Sequence, residues 1–374
     1  MKYYIIVGEA SGDLHGSNLI KEIKKLDESA EFRCWGGDLM REQGAAIVKH
    51  IDELAFMGFA EVVVNLRTIF KNISFCKNDI EKYRPDVVIL IDYPGFNLRI
   101  AEFVKEKGMR VFYYISPQVW AWKQSRVKKI KKSVDKLFVI LPFEKEFYQR
   151  FDYDVEFVGH PLLDAIVSYE REKKSFEEFI GDNQLEQKPI VAVLPGSRKQ
   201  EISKMLPVML KMGKEFPDYQ FVIGAAPSIT DEFYRQFVQN SSTKILKGKT
   251  YELLQHATAG VVTSGTATLE TALFSVPEVV CYKGGKISYQ IAKRLVKVDY
   301  ISLVNLIMGK ETVKELIQSE FNEKNLKAEL YKLLNNADYR GQMLADYKLL
   351  KEKLGGKGAS EKTARLMLKT LSEG

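Results

Sequence analysis

The sequence predicts an α/β protein made of two nucleotide-binding-type domains facing each other across a cleft. Three observations carry this. The apolar run Tyr3–Val7 leads directly into Gly8-Glu9-Ala10-Ser11-Gly12-Asp13, and Ile190–Leu194 leads into Pro195-Gly196-Ser197-Arg198. A buried parallel strand that turns sharply into a helix aims backbone N–H groups and a positive dipole end at one spot, which makes an anion site. At 374 residues the chain suits two domains, each large enough for its own core. Buried strands then alternate with helical stretches through both halves, as in a parallel sheet covered on both faces.

The elements follow in order. A helix is expected over 14–26, a second buried strand in Pro85–Asp92 and a third in Arg110–Tyr114. Lys136–Leu141 and Val155–Val158 continue the sheet until Gly159-His160-Pro161 breaks the pattern. This bounds a first domain at 1–168; the polar stretch Tyr169–Lys188 reads as a linker with a short helix. A second domain over 189–350 repeats the scheme: strand 189–194, helix 199–214, and strands at Gln220–Gly224, Ala259–Thr263 and Val279–Tyr282. From Glu323 the pattern is charged and helical, interrupted at Gly355-Gly356-Lys357-Gly358; a final helix, about 359–374, is placed back on the first domain.

Composition sets limits. A hydrophobic fraction of 45% and a charged fraction of 28% exclude wholesale disorder. Cys34, Cys76 and Cys281 form no CxxC and read as buried thiols of a reducing compartment. No apolar run is long enough to span a bilayer, and Tyr3–Val7 is too short for a signal peptide, so a cytoplasmic protein is expected. The net charge of +7 is mild, but Lys123–Lys136 holds seven Lys/Arg and one acid, Asp135. Such a block draws phosphates or anionic lipid, or is a solvated helix face. With so local a bias and no recognised binding module, nucleic acid is not an expected partner.

Several residues suit particular chemistry. GxGxxG and GxxxxGK[ST] are absent, so Gly8–Asp13 is either an anion loop or an N-cap. Gly196 permits close backbone approach, Ser197 donates, and Arg198 can grip a phosphate with two N–H groups. Ser264-Gly265-Thr266 opens a helix with further donors, and Glu270, one turn on, suits ribose hydroxyls. Together they fit a nucleoside diphosphate. Asp92 ends an apolar strand, where it can accept a proton from an attacking hydroxyl or cap the next turn. Asp152-Tyr153-Asp154 reads as a surface turn, and His15, His50, His160 and His256 show no metal spacing, so no metal is expected; only His15, at the first loop–helix junction, is of interest. Phe59, Val62, Val63, Leu66, Ile69, Phe70 and Ile73 recur at helical spacing, as core or as a membrane-resting face. Trp120-Ala121-Trp122 and the stripe Val127, Ile130, Val134 and Leu137 beside the lysines add to the second reading.

The segments Gly8–Asp13, Ser116–Trp122 (SPQVWAW), Leu141–Glu144 (LPFE), Gly159–Leu162 (GHPL), Leu194–Arg198 (LPGSR) and Ser264–Glu270 (SGTATLE) together resemble the lipid-A-disaccharide synthase family. The resemblance implies a GT-B glycosyltransferase with two Rossmann-like domains, the second holding the donor nucleotide. It implies UDP-2,3-diacylglucosamine as donor and 2,3-diacylglucosamine 1-phosphate as acceptor, with no cofactor. It also implies peripheral attachment to an anionic inner-membrane surface, and it leaves a homodimer open. Arg198 and Ser264–Thr266 would hold the diphosphate, Glu270 the ribose, and Asn305 would lie near the diphosphate. Glu315 and Gln318 match the end of an ELLQ-like segment; Gly8, Ser11 and Gly12 would face the sugars. The chain departs from the family at Gly95, where many members carry a second aspartate, and at Val304, where proline is usual. Asp92, Asp13 or Glu9 is then left as the base, or no base is essential.

Overall fold

The computed structural model describes residues 1–54, 66–170, 174–239, 243–285, 289 and 298–373. The chain divides into two compact units, Met1–Asp164 with Leu354–Gly374, and Ala165–Lys353. The stretch read from sequence as a linker thus belongs to the second unit.

The first unit is a seven-stranded parallel sheet of β1 (Lys2–Ile6), β2 (Glu31–Gly36), β3 (Ala46–His50), β4 (Val87–Ile91), β5 (Arg110–Tyr114), β6 (Lys136–Val139) and β7 (Glu156–Phe157). Its spatial order is β3-β2-β1-β4-β5-β6-β7, so the winding reverses between β1 and β4. All five residues of β4 are buried, as a strand covered on both faces requires. β2 and β3 escape the sequence reading because charged residues break their apolar runs, and β3 is an edge strand without a fully buried residue.

The first helix begins at Ala10, not at 14, so most of the glycine loop forms its first turn. A Cβ on Gly12 would lie 2.9 Å from Val7 Cβ, so glycine lets this helix sit close on the strand. The Leu66–Tyr83 helix turns Ile73, Cys76 and Ile80 inward. From it Asp79 receives two bonds from Arg33, at 2.7 and 2.8 Å, and one from Tyr4 at 2.8 Å. Phe59, Val62 and Val63 lie outside the described residues.

The stripe beside the basic block is core, contrary to the membrane expectation: Val127, Ile130, Val134 and Leu137 are all buried. The Arg126–Ser133 helix is too short to present a second apolar face. Trp120 is buried too, but Trp122 is 41% exposed, with Lys123 Nζ 4.5 Å from its ring centroid and Arg126 Cζ at 5.5 Å.

The Ala359–Ser372 helix completes this unit by packing on the Ala10–Leu26 helix. Asp164 caps it, accepting from Gly358 N at 2.7 Å and Ser360 N at 3.0 Å.

The second unit holds β8 (Ile190–Leu194), β9 (Gln220–Ala225), β10 (Lys244–Lys247), β11 (Ala257–Thr263), β12 (Glu278–Tyr282) and β13 (Lys314–Ile317). The order β10-β9-β8-β11-β12-β13 repeats the winding of the first sheet, with its reversal between β8 and β11. Ile190, Ala192, Leu194, Val222 and Val262 form a core against Phe179, Leu253 and Leu254.

Candidate active-site clusters

Ligands of doubly wound sheets gather beyond the strands' carboxyl ends where the order reverses. In each unit that place is occupied by the loops singled out from sequence.

In the first unit the β1 loop meets the β4 loop. A Cβ on Gly8 would lie 2.3 Å from Tyr93 Cγ, so the Tyr93 ring fills the space where a side chain would begin. Asp92 and Tyr93 both adopt left-handed backbone, at φ 45° and 48°, as does the β-branched Ile115 after β5, at φ 62°. Such strain persists only where surrounding contacts hold it, and it gathers at functional sites. Asp92 is held through its carbonyl, which accepts from Asn97 Nδ2 at 2.8 Å and from the Tyr113 hydroxyl. Its half-buried carboxyl stays available to a ligand. Burial, with the Glu9 charge adding to it, pushes that carboxyl up to about 7, which suits a general base near neutral pH. Glu9 is exposed and accepts from Ser11 Oγ at 2.8 Å, and the helix behind it has no side-chain cap. Its first N–H groups therefore remain for an anion.

Asp13 is not placed for catalysis. Its carboxylate accepts from Gly37 N at 2.7 Å, Leu39 N at 3.0 Å and Met40 N at 3.2 Å. It is buried as the cap of the Asp38–Glu42 helix. His15 is buried as well; burial lowers its imidazole to about 4 and keeps it neutral. The Gly95 position is open, since a Cβ there would meet nothing within 4 Å.

In the second unit the β8 and β11 loops touch. Gly196, at φ 94°, would place a Cβ 3.2 Å from Thr263 Cγ2. Ser197 and Thr266 are exposed, and Gly265 has open space around it. Arg198 is 69% exposed, and among the described residues its side chain is held by Glu201 alone, at 3.1 Å. Both charges bear on Tyr282 at the end of β12, whose hydroxyl burial raises. Tyr282 O in turn accepts from Gln318 N at 2.8 Å. Gln318, at φ 55°, keeps a buried Nε2 that has no hydrogen-bond partner among the described residues. Arg198, the Gly265–Thr266 amides, Tyr282 and Gln318 thus gather beyond four strand ends. Glu270 stands apart, half-buried, accepting from Tyr251 OH at 2.8 Å; burial raises its pKa.

Two expectations need correction. The Ser264 hydroxyl donates to Ile301 O at 2.9 Å, so its proton is not free for a phosphate. Asn305 is fully buried. Its Nδ2 bonds Val313 O and Glu315 Oε1, each at 2.9 Å, while its Oδ1 accepts from Thr312 N and Val313 N. Glu315 accepts in turn from Ile301 N and Ser302 N. Asn305 and Glu315 therefore position the segment that anchors Ser264, and the fully engaged Asn305 amide does not reach a ligand.

Sequence reasoning missed Tyr282 and Tyr251, which carry no motif spacing. It also gave no role to Ser116 and Glu144, which form one buried network. Glu144 Oε2 accepts from Ile140 N at 3.2 Å and Leu141 N at 2.9 Å, and Ser116 Oγ lies 2.6 Å from Tyr148 OH.

Comparison with known proteins matches this geometry. A family model described as lipid-A-disaccharide synthetase matches residues 3–369. The lipid-A-disaccharide synthase of Geobacter metallireducens is 38% identical over 375 residues, covering 99% of this chain and 97% of that one. That of Coxiella burnetii is 36% identical over 367 residues, covering 97% and 96%. Among solved structures, a UDP-GlcNAc 2-epimerase of Neisseria meningitidis bound to UDP-GlcNAc has a TM-score of 0.70 at 14% identity, covering 100% of both chains. The glycotransferase of kitacinnamycin has a TM-score of 0.65 at 14% identity, covering 98% of each. These neighbours share the fold, two parallel-sheet α/β domains of the GT-B class. The chain belongs to the lipid-A-disaccharide synthase family.

Proposed function

From that membership we propose the substrates of this lipid A glycosyltransferase: UDP-2,3-diacylglucosamine as donor and 2,3-diacylglucosamine 1-phosphate as acceptor. The reaction is an inverting single displacement. The acceptor 6-hydroxyl oxygen bonds to the anomeric carbon as the bond from that carbon to the diphosphate oxygen breaks. The hydroxyl proton passes to Asp92, and the departing electron pair leaves on UDP.

The observation that carries this reading is the uncovered donor cluster beyond β8 and β11, Arg198 with the Gly265–Thr266 amides. Donors fixed before the reaction stabilise the growing diphosphate charge by about 2–4 kcal/mol each. Glu270, with one oxygen on Tyr251 and the other without a side-chain bond among the described residues, suits the ribose. Gln318 Nε2, buried and without a partner among the described residues, supplies a further donor. In the first unit Gly8, Ser11, Gly12 and Glu9 would face the sugars beside Asp92.

The substrates are lipids, and no helix among the described residues is long and apolar enough to cross a membrane. Phe70 and Phe75 are exposed, at 56% and 48%, and Arg99 lies 5.6 Å from the Phe70 ring centroid. With Trp122 and the surface lysines of 123–136, they suit an anionic membrane surface. UDP-sugar epimerases share the fold, but the family match favours transfer.

The test is incubation with labelled UDP-2,3-diacylglucosamine, with and without the monophosphorylated acceptor. Release of UDP together with a disaccharide phosphate, only when both are present, is expected. Epimerised donor without acceptor, or no turnover, would overturn the reading.

A further inference from the structure

Two sequence motifs remain without a role in the proposed reaction, Ser116–Trp122 after β5 and Leu141–Glu144 after β6. The fold brings them together beyond adjacent strand ends, next to Asp92 at the end of β4. Trp120 and Phe143 meet edge to face at 5.0 Å, joining the two loops through their rings. Beneath the rings runs the polar network. Glu144, 1% exposed, turns back to accept from Ile140 N and Leu141 N. Ser116 Oγ bonds Pro117 O at 3.0 Å and lies 2.6 Å from the hydroxyl of Tyr148, which belongs to the helix that Glu144 opens.

No ion pair to Glu144 occurs among the described residues. A carboxylate this deeply buried without a cation is costly, so the group takes the neutral form. We propose that Glu144 is a positioning residue: its neutral carboxyl holds the turn that presents Phe143 and Tyr148 to the β5 loop, and it adds no charge of its own beside Asp92. This rests on the reading of Asp92 as the base.

The electrostatics agree. Burial raises Glu144 to about 8, with the Asp92 charge as one contribution, while Asp92 titrates at about 7. Two carboxyls pushed apart in this way lose their protons in sequence. The other groups facing the pair are Glu9, Tyr113, Tyr148 and Arg126. Tyr113 and Tyr148 are both held above their ordinary range by burial, so neither ionises in this window. When Glu144 does ionise, it adds a buried negative charge beside that of Asp92.

The test compares Glu144→Gln, Glu144→Ala and Asp92→Asn with the parent. The carboxamide is isosteric and accepts from the same two amides, so Glu144→Gln folds and keeps the acid limb of kcat/KM near pH 7. It loses the alkaline limb that the parent shows near pH 8. Glu144→Ala leaves two amides without an acceptor and lowers kcat about tenfold or more with KM little changed. Infrared difference spectra at pH 7 show that Glu144→Gln removes one component of the protonated-carboxyl carbonyl absorption, a component that persists in Asp92→Asn. An alkaline limb unchanged in Glu144→Gln, parental kcat in Glu144→Ala, or no band lost would each overturn the proposal. Parental turnover in Asp92→Asn would instead remove Asp92 as the base, and the Glu144 band would still identify the neutral carboxyl.

Discussion

The Tyr93 ring occupies the place where a side chain on Gly8 would start, with Cγ only 2.3 Å from that point. Glycine is thus required by the neighbouring loop, in addition to any ligand. Gly8→Ala must displace Tyr93 and with it the strained Asp92. Misplacing a reacting group by about 1 Å can cost about 100-fold in rate, and overpacking costs about 1–3 kcal/mol in stability. Turnover measured beside a thermal melt checks both.

Asp92 acts as a base only when ionised, so the rate rises with pH through about 7. Asp92→Asn removes that limb along with most of the turnover. Gly95 faces open space. Adding an aspartate there therefore leaves the melting temperature near the parent's, and partly restores the rate in the Asp92→Asn background.

Arg198 and Asn305 separate binding from scaffolding. Arg198 is exposed, so Arg198→Ala changes stability by no more than about 0.5 kcal/mol while lowering turnover and UDP affinity. Asn305→Ala removes the acceptor of Thr312 N and Val313 N and the donor to Val313 O in the interior, and leaves Glu315 with only its backbone donors among the described residues. Each unmet buried group costs about 1–3 kcal/mol. Denaturant melts and UDP titration distinguish the two variants.

Those two residues also show how far the chain could be read unaided. Both glycine loops, the strands that feed them and Arg198 were visible, because an apolar run that ends in glycine and reopens as a helix has few other uses. Asn305 was given a ligand's task but is a buried scaffold residue, since spacing cannot tell a ligand contact from a neighbour that orients the segment bonded to Ser264. Asp13 was misassigned for the same reason: its partners come from a segment 24 to 27 residues on. β3 went unread because a half-exposed edge strand lacks a continuous apolar run. Val127 and Ile130 were grouped with the membrane-resting features because the lysines around them dominate the pattern, while the Pro94–Glu106 helix that packs on theirs lies earlier in the chain.

Glu278 opens β12 fully buried, and neither of its carboxyl oxygens has a hydrogen-bond partner among the described residues. Burial raises its pKa well above the ordinary carboxyl value. The folded state thus holds a proton that the unfolded chain releases above about pH 4.3. Stability falls as pH rises from there, because the unfolded state binds fewer protons. Glu278→Gln removes this loss. Its melting temperature matches the parent's near pH 4 and exceeds it increasingly toward pH 7, as calorimetry across that range would record.

Asp164 and the amide of Gly358 that it caps are 194 positions apart. The first unit is therefore left open while the ribosome makes the whole of the second, and one side of its Ala10–Leu26 helix waits uncovered throughout. A fragment ending at Asp164 exposes that side permanently and should be recovered in aggregates, whereas supplying the Leu354–Gly374 segment in trans should return it to solution. The second unit, by contrast, is an insertion whose own start and end are both internal to the chain.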